Sequence, residues 1–159
     1  MTGELVIMAA ENSQDIIIER NFQANIELVF EAFSDCALLQ QWQFPPEAEL
    51  EIEKHECRDG GSYITWHKGP DKIRFGFKGV FHEVNKPNLI IQTSEFLGLP
   101  FKVIPTLEIT KFESLDAELT KLTKQIICVN NEVRNAMLQY GMRQQFETSF
   151  NRIDDLFKK

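Results

Sequence analysis

The chain has 159 residues, of which 43% are hydrophobic, and its formal net charge at pH 7 is -7. This length and composition fit one domain with a substantial apolar core. The acidic balance argues against nucleic-acid binding, because a protein that neutralises phosphates needs a basic surface.

The N-terminal part of the sequence is expected to start a sheet. Residues 1–14 show little periodicity and are interpreted as a tail or, through residues 5–8, as an edge strand. The next stretch, Asp15–Phe22, is rich in β-branched residues and predicts a strand. We expect residues 15–159 to form a single domain, because no repeat, low-complexity tract or linker divides them.

Two short helices are predicted after this strand. Asn25 precedes an apolar run at helical spacing, and Asp35 precedes a second run that ends at Trp42. Asn and Asp side chains accept hydrogen bonds from the free amides at helix N-termini, so both residues are expected to be caps. The pair Pro45-Pro46 should end the second helix, because proline has no amide donor.

Six further strands, separated by turns, are predicted in the middle of the chain. In one of them Phe75, Phe77 and Phe81 alternate with polar residues such as Arg74 and Lys78, which is typical of a sheet covered on one face. The six predicted strands are 48–57, 62–68, 72–84, 89–96, 106–112 and 119–129.

Residues 131–159 predict one long amphipathic helix, capped by Asn130 or Asn131. Its polar residues, Asp154 among them, are expected to lie mostly away from an apolar stripe. A helix of this length buries its stripe only against a broad surface, which the predicted sheet provides. The stripe consists of Leu138, Met142, Phe146, Phe150, Ile153 and Phe157, and is extended by Ser149 and Leu156.

The order of the elements predicts an α+β fold. Strands joined by hairpins exclude a doubly wound parallel sheet. We expect a curved antiparallel sheet wrapped around the long C-terminal helix, with the two short helices after the first strand closing one end.

Four motifs follow one another along residues 15–159. They are IELVFEAFSDCALLQQW, CRDGGSYITW, FGFKGVFHEVNKPNLI and YGM. Their order and spacing resemble the START-like (SRPBCC) superfamily, and within it the branch named after the activator of the heat-shock protein 90 ATPase. In the last motif Met142 stands where tryptophan is usual. The resemblance implies a helix-grip fold. It does not imply one function, because such proteins include co-chaperones, hydrophobic-ligand binders and a few enzymes.

A cavity between the sheet and the last helix is the candidate ligand site. A helix gripped by a curved sheet can leave a cavity lined by both elements. The alternative for each residue is plain core packing, which is the usual role of aromatic stripes. The candidate ligand-binding residues are Trp42, Tyr63, Thr65, His67, Phe75, Phe77, Phe81, Leu138 and Met142.

Tyr63, Thr65 and His67 share one face of a strand and could hold the polar end of a ligand or act as acid and acceptor. The alternative is that they are hydrogen-bonded internally or lie at a wet rim. This register sends Trp66 to the outer face. A bulge after the Gly-Gly turn would instead turn Trp66 inward and the other three side chains outward. Glu83 is a further candidate for an inward carboxylate.

The sequence contains no recognisable catalytic motif, since both GxSxG and GxxxxGK[ST] are absent. His55 and Cys57 project from one side of a strand, but no second pair of metal ligands is visible. We therefore expect no catalytic residue, metal, cofactor or disulfide.

Three cysteines without a CxxC pair favour a reducing cytoplasm. The longest apolar runs reach about half a bilayer, so no membrane span is expected.

Three hypotheses for function follow. The first is a small cytoplasmic domain that binds an apolar small molecule with one polar end. The second is a chaperone-associated interaction module of the stress response, with a chaperone or another protein as its partner. The third is an enzyme that uses the same cavity for acid–base chemistry. A pocket with converging polar groups would favour the first or third, and a filled core would favour the second.

Overall fold

A computed structural model describes residues 3–43 and 48–158, so the predicted Pro45-Pro46 stop and Lys159 lie outside the described residues. The strands are β1 (Val6–Met8), β2 (Asp15–Phe22), β3 (Glu49–His55), β4 (Ser62–Lys68), β5 (Arg74–Asn85), β6 (Leu89–Leu97), β7 (Thr106–Asp116) and β8 (Leu119–Ile127). The helices are α1 (Ile26–Ser34), α2 (Cys36–Trp42), α3 (Asn131–Gln139) and α4 (Met142–Phe157).

These strands pair antiparallel in the order β1-β2-β8-β7-β6-β5-β4-β3. One side of the sheet joins distant parts of the chain, since β2 pairs with β8. The other side consists of β3 to β6, in which strands that follow one another along the chain pair as hairpins. The α+β helix-grip architecture is confirmed. The sheet is curved, with the C-terminal helix packed against its buried face.

The two short helices start at the predicted caps. The Asn25 side chain accepts a hydrogen bond from the Leu28 amide at 2.9 Å, and the Asp35 side chain accepts one from the Leu38 amide at 3.1 Å. The indole of Trp42 donates to the Ala32 carbonyl at 2.6 Å and so ties α2 back to α1. These contacts place the Trp42 ring in the core, next to α4.

An aromatic cluster joins α1, α4 and the sheet. Phe150 on α4 lies 5.5 Å from Phe22 on β2 and 6.1 Å from Phe33 on α1, measured between ring centroids. Phe112 on β7 contacts Phe33 at 5.5 Å and Phe30 at 5.2 Å. Each of these pairs has the edge-to-face geometry that aromatic rings prefer. The cluster fixes the position of α4 above the sheet.

The prediction of one helix over 131–159 is wrong in one respect. The helix is broken at Tyr140 and Gly141, and Gly141 has a φ of 76°. This left-handed conformation costs a glycine little, and it redirects the chain between α3 and α4. The break changes which apolar side chains of the C-terminal region face the sheet.

Asp154 does not lie away from the stripe as predicted. Its carboxylate forms an ion pair with Arg20 at 2.6 Å, and both side chains are buried. The Arg20 guanidinium also donates to the Asn151 side chain at 3.0 Å and to the Gly3 carbonyl at 3.2 Å. The alternation of β2 sends Arg20 inward between Ile18 and Phe22, where α4 must provide a partner.

Candidate functional site

A partly enclosed cavity of about 250 Å³ lies between the inner face of the sheet and α4. Its apolar wall includes Trp42 from α2, Phe77 and Phe81 from β5, and Met142 and Phe150 from α4. This volume lies just below the range of roughly 300–1,000 Å³ that is usual for ligand pockets. The core is therefore not completely filled where sheet and helix meet.

Six of the nine predicted ligand-binding residues line this cavity: Trp42, Tyr63, Thr65, Phe77, Phe81 and Met142. The other three, His67, Phe75 and Leu138, do not.

The helix break explains the position of Leu138. In a continuous helix Leu138 and Met142 would lie on one face, since they are four residues apart. With the break at Gly141, Met137 lines the cavity together with Met142, and Leu138 lies outside the lining. Helical periodicity therefore predicted Leu138, whereas its neighbour Met137 is the residue that lines the cavity.

His67 and Phe75 pack against each other outside the cavity lining. The imidazole of His67 is fully buried and stacks on the Phe75 ring with centroids 5.1 Å apart. Burial lowers the pKa of His67 from 6.5 to about 4, so the ring is neutral at pH 7. Phe75 lines a neighbouring open depression of about 500 Å³, and Phe77 and Gln145 border both spaces.

The inward and outward alternation of side chains along β4 is uninterrupted, although the pairing of β3 with β4 shifts between Ile52 and Lys54. Tyr63, Thr65 and His67 are buried on the inner face, and Trp66 lies on the outer face with the Arg74 guanidinium 4.0 Å from its ring centroid. Glu83, proposed from the sequence as an inward carboxylate, is exposed. The pairing of β5 with β6 shifts between Phe81 and Glu83, and this irregularity interrupts the alternation.

Tyr63 occupies a cramped position in the cavity wall. Its hydroxyl donates to the Thr93 carbonyl at 2.6 Å. Burial, together with the nearby Glu108 carboxylate, raises the pKa of Tyr63 to about 12. Gly79 pairs with Tyr63 across the strands, and a Cβ atom built at Gly79 would lie 2.8 Å from the ring and 1.9 Å from the Thr93 carbonyl oxygen. A side chain at position 79 would therefore displace Tyr63.

Sequence reasoning missed a polar group on the cavity wall. Glu108 on β7 and Lys124 on β8 form an ion pair at 2.8 Å, and both side chains line the cavity. Gln92 on β6 is the direct strand partner of Glu108, and Thr110 is the direct partner of Lys124. The available signal was the strand alternation, since Glu108 and Thr110 share a face with the buried Phe112. The apolar Leu107 and Ile109 on the opposite face obscured it.

The candidate metal ligands His55, at the end of β3, and Cys57, two residues after it, have other surroundings. The His55 ring nitrogen Nε2 lies 2.7 Å from the Ser34 carbonyl, and burial raises the pKa of the Cys57 thiol to about 11. Within residues 3–43 and 48–158, no group of three or more His, Cys, Asp and Glu side chains has a geometry suited to a metal ion. None of the described helices combines the length and apolarity needed to cross a membrane.

Comparison with protein families matches residues 23–158 to the Activator of Hsp90 ATPase homolog 1-like protein family. The chain belongs to this family. The match covers α1 to α4 and so includes every element that lines the cavity. The START-like resemblance predicted from the four sequence motifs is confirmed. A comparison with curated proteins finds no match.

Solved structures of bacterial proteins have the same fold. Protein Ms6760 from Mycobacterium smegmatis has a TM-score of 0.86 at 18% identity, with 96% of each chain covered. A protein from Rhodobacter sphaeroides has a TM-score of 0.84 at 20% identity, with 98% of each chain covered. A protein from Arthrobacter aurescens has a TM-score of 0.83 at 22% identity, covering 94% of this chain and 88% of its own. At these identities the likeness shows the fold alone.

Proposed function

We propose that this member of the Activator of Hsp90 ATPase homolog 1-like family binds an apolar small molecule in the cavity between the sheet and α4. The observation that carries the proposal is the unfilled space of about 250 Å³, walled by aromatic rings and reached by polar groups from several strands. Ligand pockets typically combine a mostly apolar wall with a few convergent polar groups. We also infer a cytoplasmic location, which the unpaired Cys36, Cys57 and Cys128 favour.

The test fills the cavity from one wall. Phe77→Trp adds bulk at a ring that lines the cavity, so we expect a neutral apolar probe such as Nile red to bind about tenfold more weakly, a loss of about 1.4 kcal/mol. Fluorescence titration measures the dissociation constant, and circular dichroism checks the fold. Phe101→Trp is the matched control, because Phe101 is 66% exposed in the loop after β6. Equal affinity in the two variants would contradict cavity binding.

Two other hypotheses remain as outcomes of this experiment. A chaperone-associated interaction module is favoured by the description of the family, and it becomes the better hypothesis if the probe does not bind the unmodified chain. An enzyme would need an acid–base group in the cavity. Of the predicted acid–base residues, His67 does not line it, and Tyr63, with a pKa of about 12, is protonated at neutral pH. The other titratable side chains of the wall are engaged in protein contacts, since Glu108 and Lys124 form an ion pair at 2.8 Å and His55 Nε2 lies 2.7 Å from a backbone carbonyl of α1. Ligand binding is therefore the function that the geometry supports best.

A further inference from the structure

We propose that the cavity selects neutral ligands whose polar end carries a hydrogen-bond donor beside an acceptor, as a primary carboxamide does. Glu108 and Lys124 bind this polar end through hydrogen bonds. The inference rests on the proposed function, because it names the ligand class of the same cavity. It is drawn from a pair of side chains that the sequence analysis did not select.

The contacts that the described residues make to this pair leave part of its hydrogen-bonding capacity unused. Lys124 Nζ lies 2.8 Å from Glu108 Oε1, which occupies one of the three N–H donors of an ammonium group. The other carboxylate oxygen, Oε2, receives a long hydrogen bond of 3.4 Å from the Thr106 hydroxyl. Each oxygen of a carboxylate can accept more than one hydrogen bond. One donor and one acceptor therefore stand side by side on the cavity wall.

The environment of the pair strengthens the electrostatic interactions of its two charges with a ligand. The Lys124 and Glu108 side chains are only 16% and 14% exposed, and they line a cavity whose wall is mostly apolar. Charges interact more strongly where water is excluded than at the protein surface. A charged ligand must lose its hydration to enter, which costs far more than the desolvation of a neutral group.

Both charges act on any group that reaches the pair. A ligand carboxylate would be attracted by Lys124 and repelled by Glu108, and a ligand amine would meet the opposite combination. The two forces largely cancel, because the charged groups are 2.8 Å apart. A carboxamide gains from both, since its carbonyl accepts from Lys124 while its N–H group donates to Glu108. The amide side chains of Gln92 and Gln145, which also line the cavity, can complete the contacts.

The experiment compares four probes that share one apolar body: phenylpropanamide, phenylpropanoate, phenylpropylamine and propylbenzene. Trp42 lines the cavity whereas Trp66 lies outside it, so the titrations use a Trp66→Phe chain in which fluorescence reports Trp42 alone. We expect phenylpropanamide to bind at least about tenfold more tightly than either charged probe.

Two variants that each remove one charge of the pair should favour opposite charged probes. Glu108→Gln leaves the Lys124 charge without its partner, so phenylpropanoate should become the preferred charged probe. Lys124→Met leaves the Glu108 charge, so phenylpropylamine should be preferred. The matched control is Lys121→Met on the same strand, because Lys121 forms an ion pair of 2.9 Å with Glu19 and does not line the cavity. This control should retain the ranking of the unsubstituted protein.

The outcomes separate the two proposals. If propylbenzene and phenylpropanamide bind equally well, or if a charged probe binds best to the chain with both charges, this inference is overturned and cavity binding stands. If none of the four probes binds, both proposals are overturned. Should a charge variant fail to fold in a circular dichroism melt, the ranking of the probes on the Trp66→Phe chain decides the question alone.

Discussion

His67 shows how one buried residue couples this fold to pH. It is fully buried on β4, and burial lowers its pKa to about 4 from 6.5. In the folded chain the ring stays neutral until the pH falls to about 4, whereas in the unfolded chain it takes up a proton below 6.5. Between these values the unfolded state binds more protons, so its protonation favours unfolding.

We therefore expect stability to fall as the pH is lowered from 6.5 to about 4, by on the order of 3 kcal/mol from this residue. Above pH 6.5 the contribution is fully present. Urea unfolding of the unsubstituted chain and of His67→Gln at several pH values measures the difference, because glutamine does not titrate. His82→Gln is the control, since His82 is exposed on β5. The prediction fails if His67→Gln keeps the same pH dependence as the unsubstituted chain.

At the scale of elements, α4 is attached to β2 by charge as well as by aromatic packing. The Arg20–Asp154 ion pair of 2.6 Å crosses from strand to helix, and both side chains are buried. Burial raises the pKa of Asp154, while the Arg20 guanidinium opposes this rise. A buried ion pair adds little net stability over apolar residues of similar size, but the loss of one partner leaves an uncompensated charge.

Asp154→Ala should therefore lower the free energy of unfolding by about 3–5 kcal/mol, because Arg20 remains buried without its carboxylate partner. Asp155→Ala is the matched control on the next residue. The Asp155 side chain is 70% exposed and pairs with Lys158 at 3.7 Å, so its removal should change stability by less than about 0.5 kcal/mol. Denaturant unfolding compares the two variants. Equal losses would show that the ion pair does not attach α4 to β2.

At the scale of the molecule, most of the architecture was predictable because it depends on local signals. The predicted strand over residues 62–68 and both helix caps agree with the structure. The break at Gly141 was missed because apolar spacing continues across it, and spacing does not report a single left-handed residue.

The polar side of the cavity was less predictable than the fold. Glu108 and Lys124 are neighbours only through the pairing of β7 with β8. Hydrophobicity assigns such side chains to solvent. Strand alternation puts Glu108 on the face of Phe112, but only the three-dimensional arrangement shows that Glu108 meets Lys124 in the cavity. The aromatic wall was easier to predict, because Phe77 and Phe81 are apolar and recur at strand spacing.

Substitution of Phe150 tests the packing of α4 on the sheet, because its ring contacts rings from β2, α2 and α4. Its ring is 1% exposed and lies 5.5 Å from Phe22, 6.5 Å from Trp42 and 5.4 Å from Phe146. Phe150→Ala removes these contacts and enlarges the cavity that the ring lines, so the free energy of unfolding should fall by about 3–5 kcal/mol.

Tyr140→Ala provides the comparison for this truncation. Tyr140 is also an aromatic residue of the C-terminal region, but its side chain is 84% exposed at the helix break. Its replacement should change stability by no more than about 0.5 kcal/mol. Chemical denaturation of both variants, followed by circular dichroism, gives the two free energies. A loss below about 1 kcal/mol for Phe150→Ala would mean that the core collapses around the vacated space, because the penalty for truncating a buried ring depends on how far its surroundings relax.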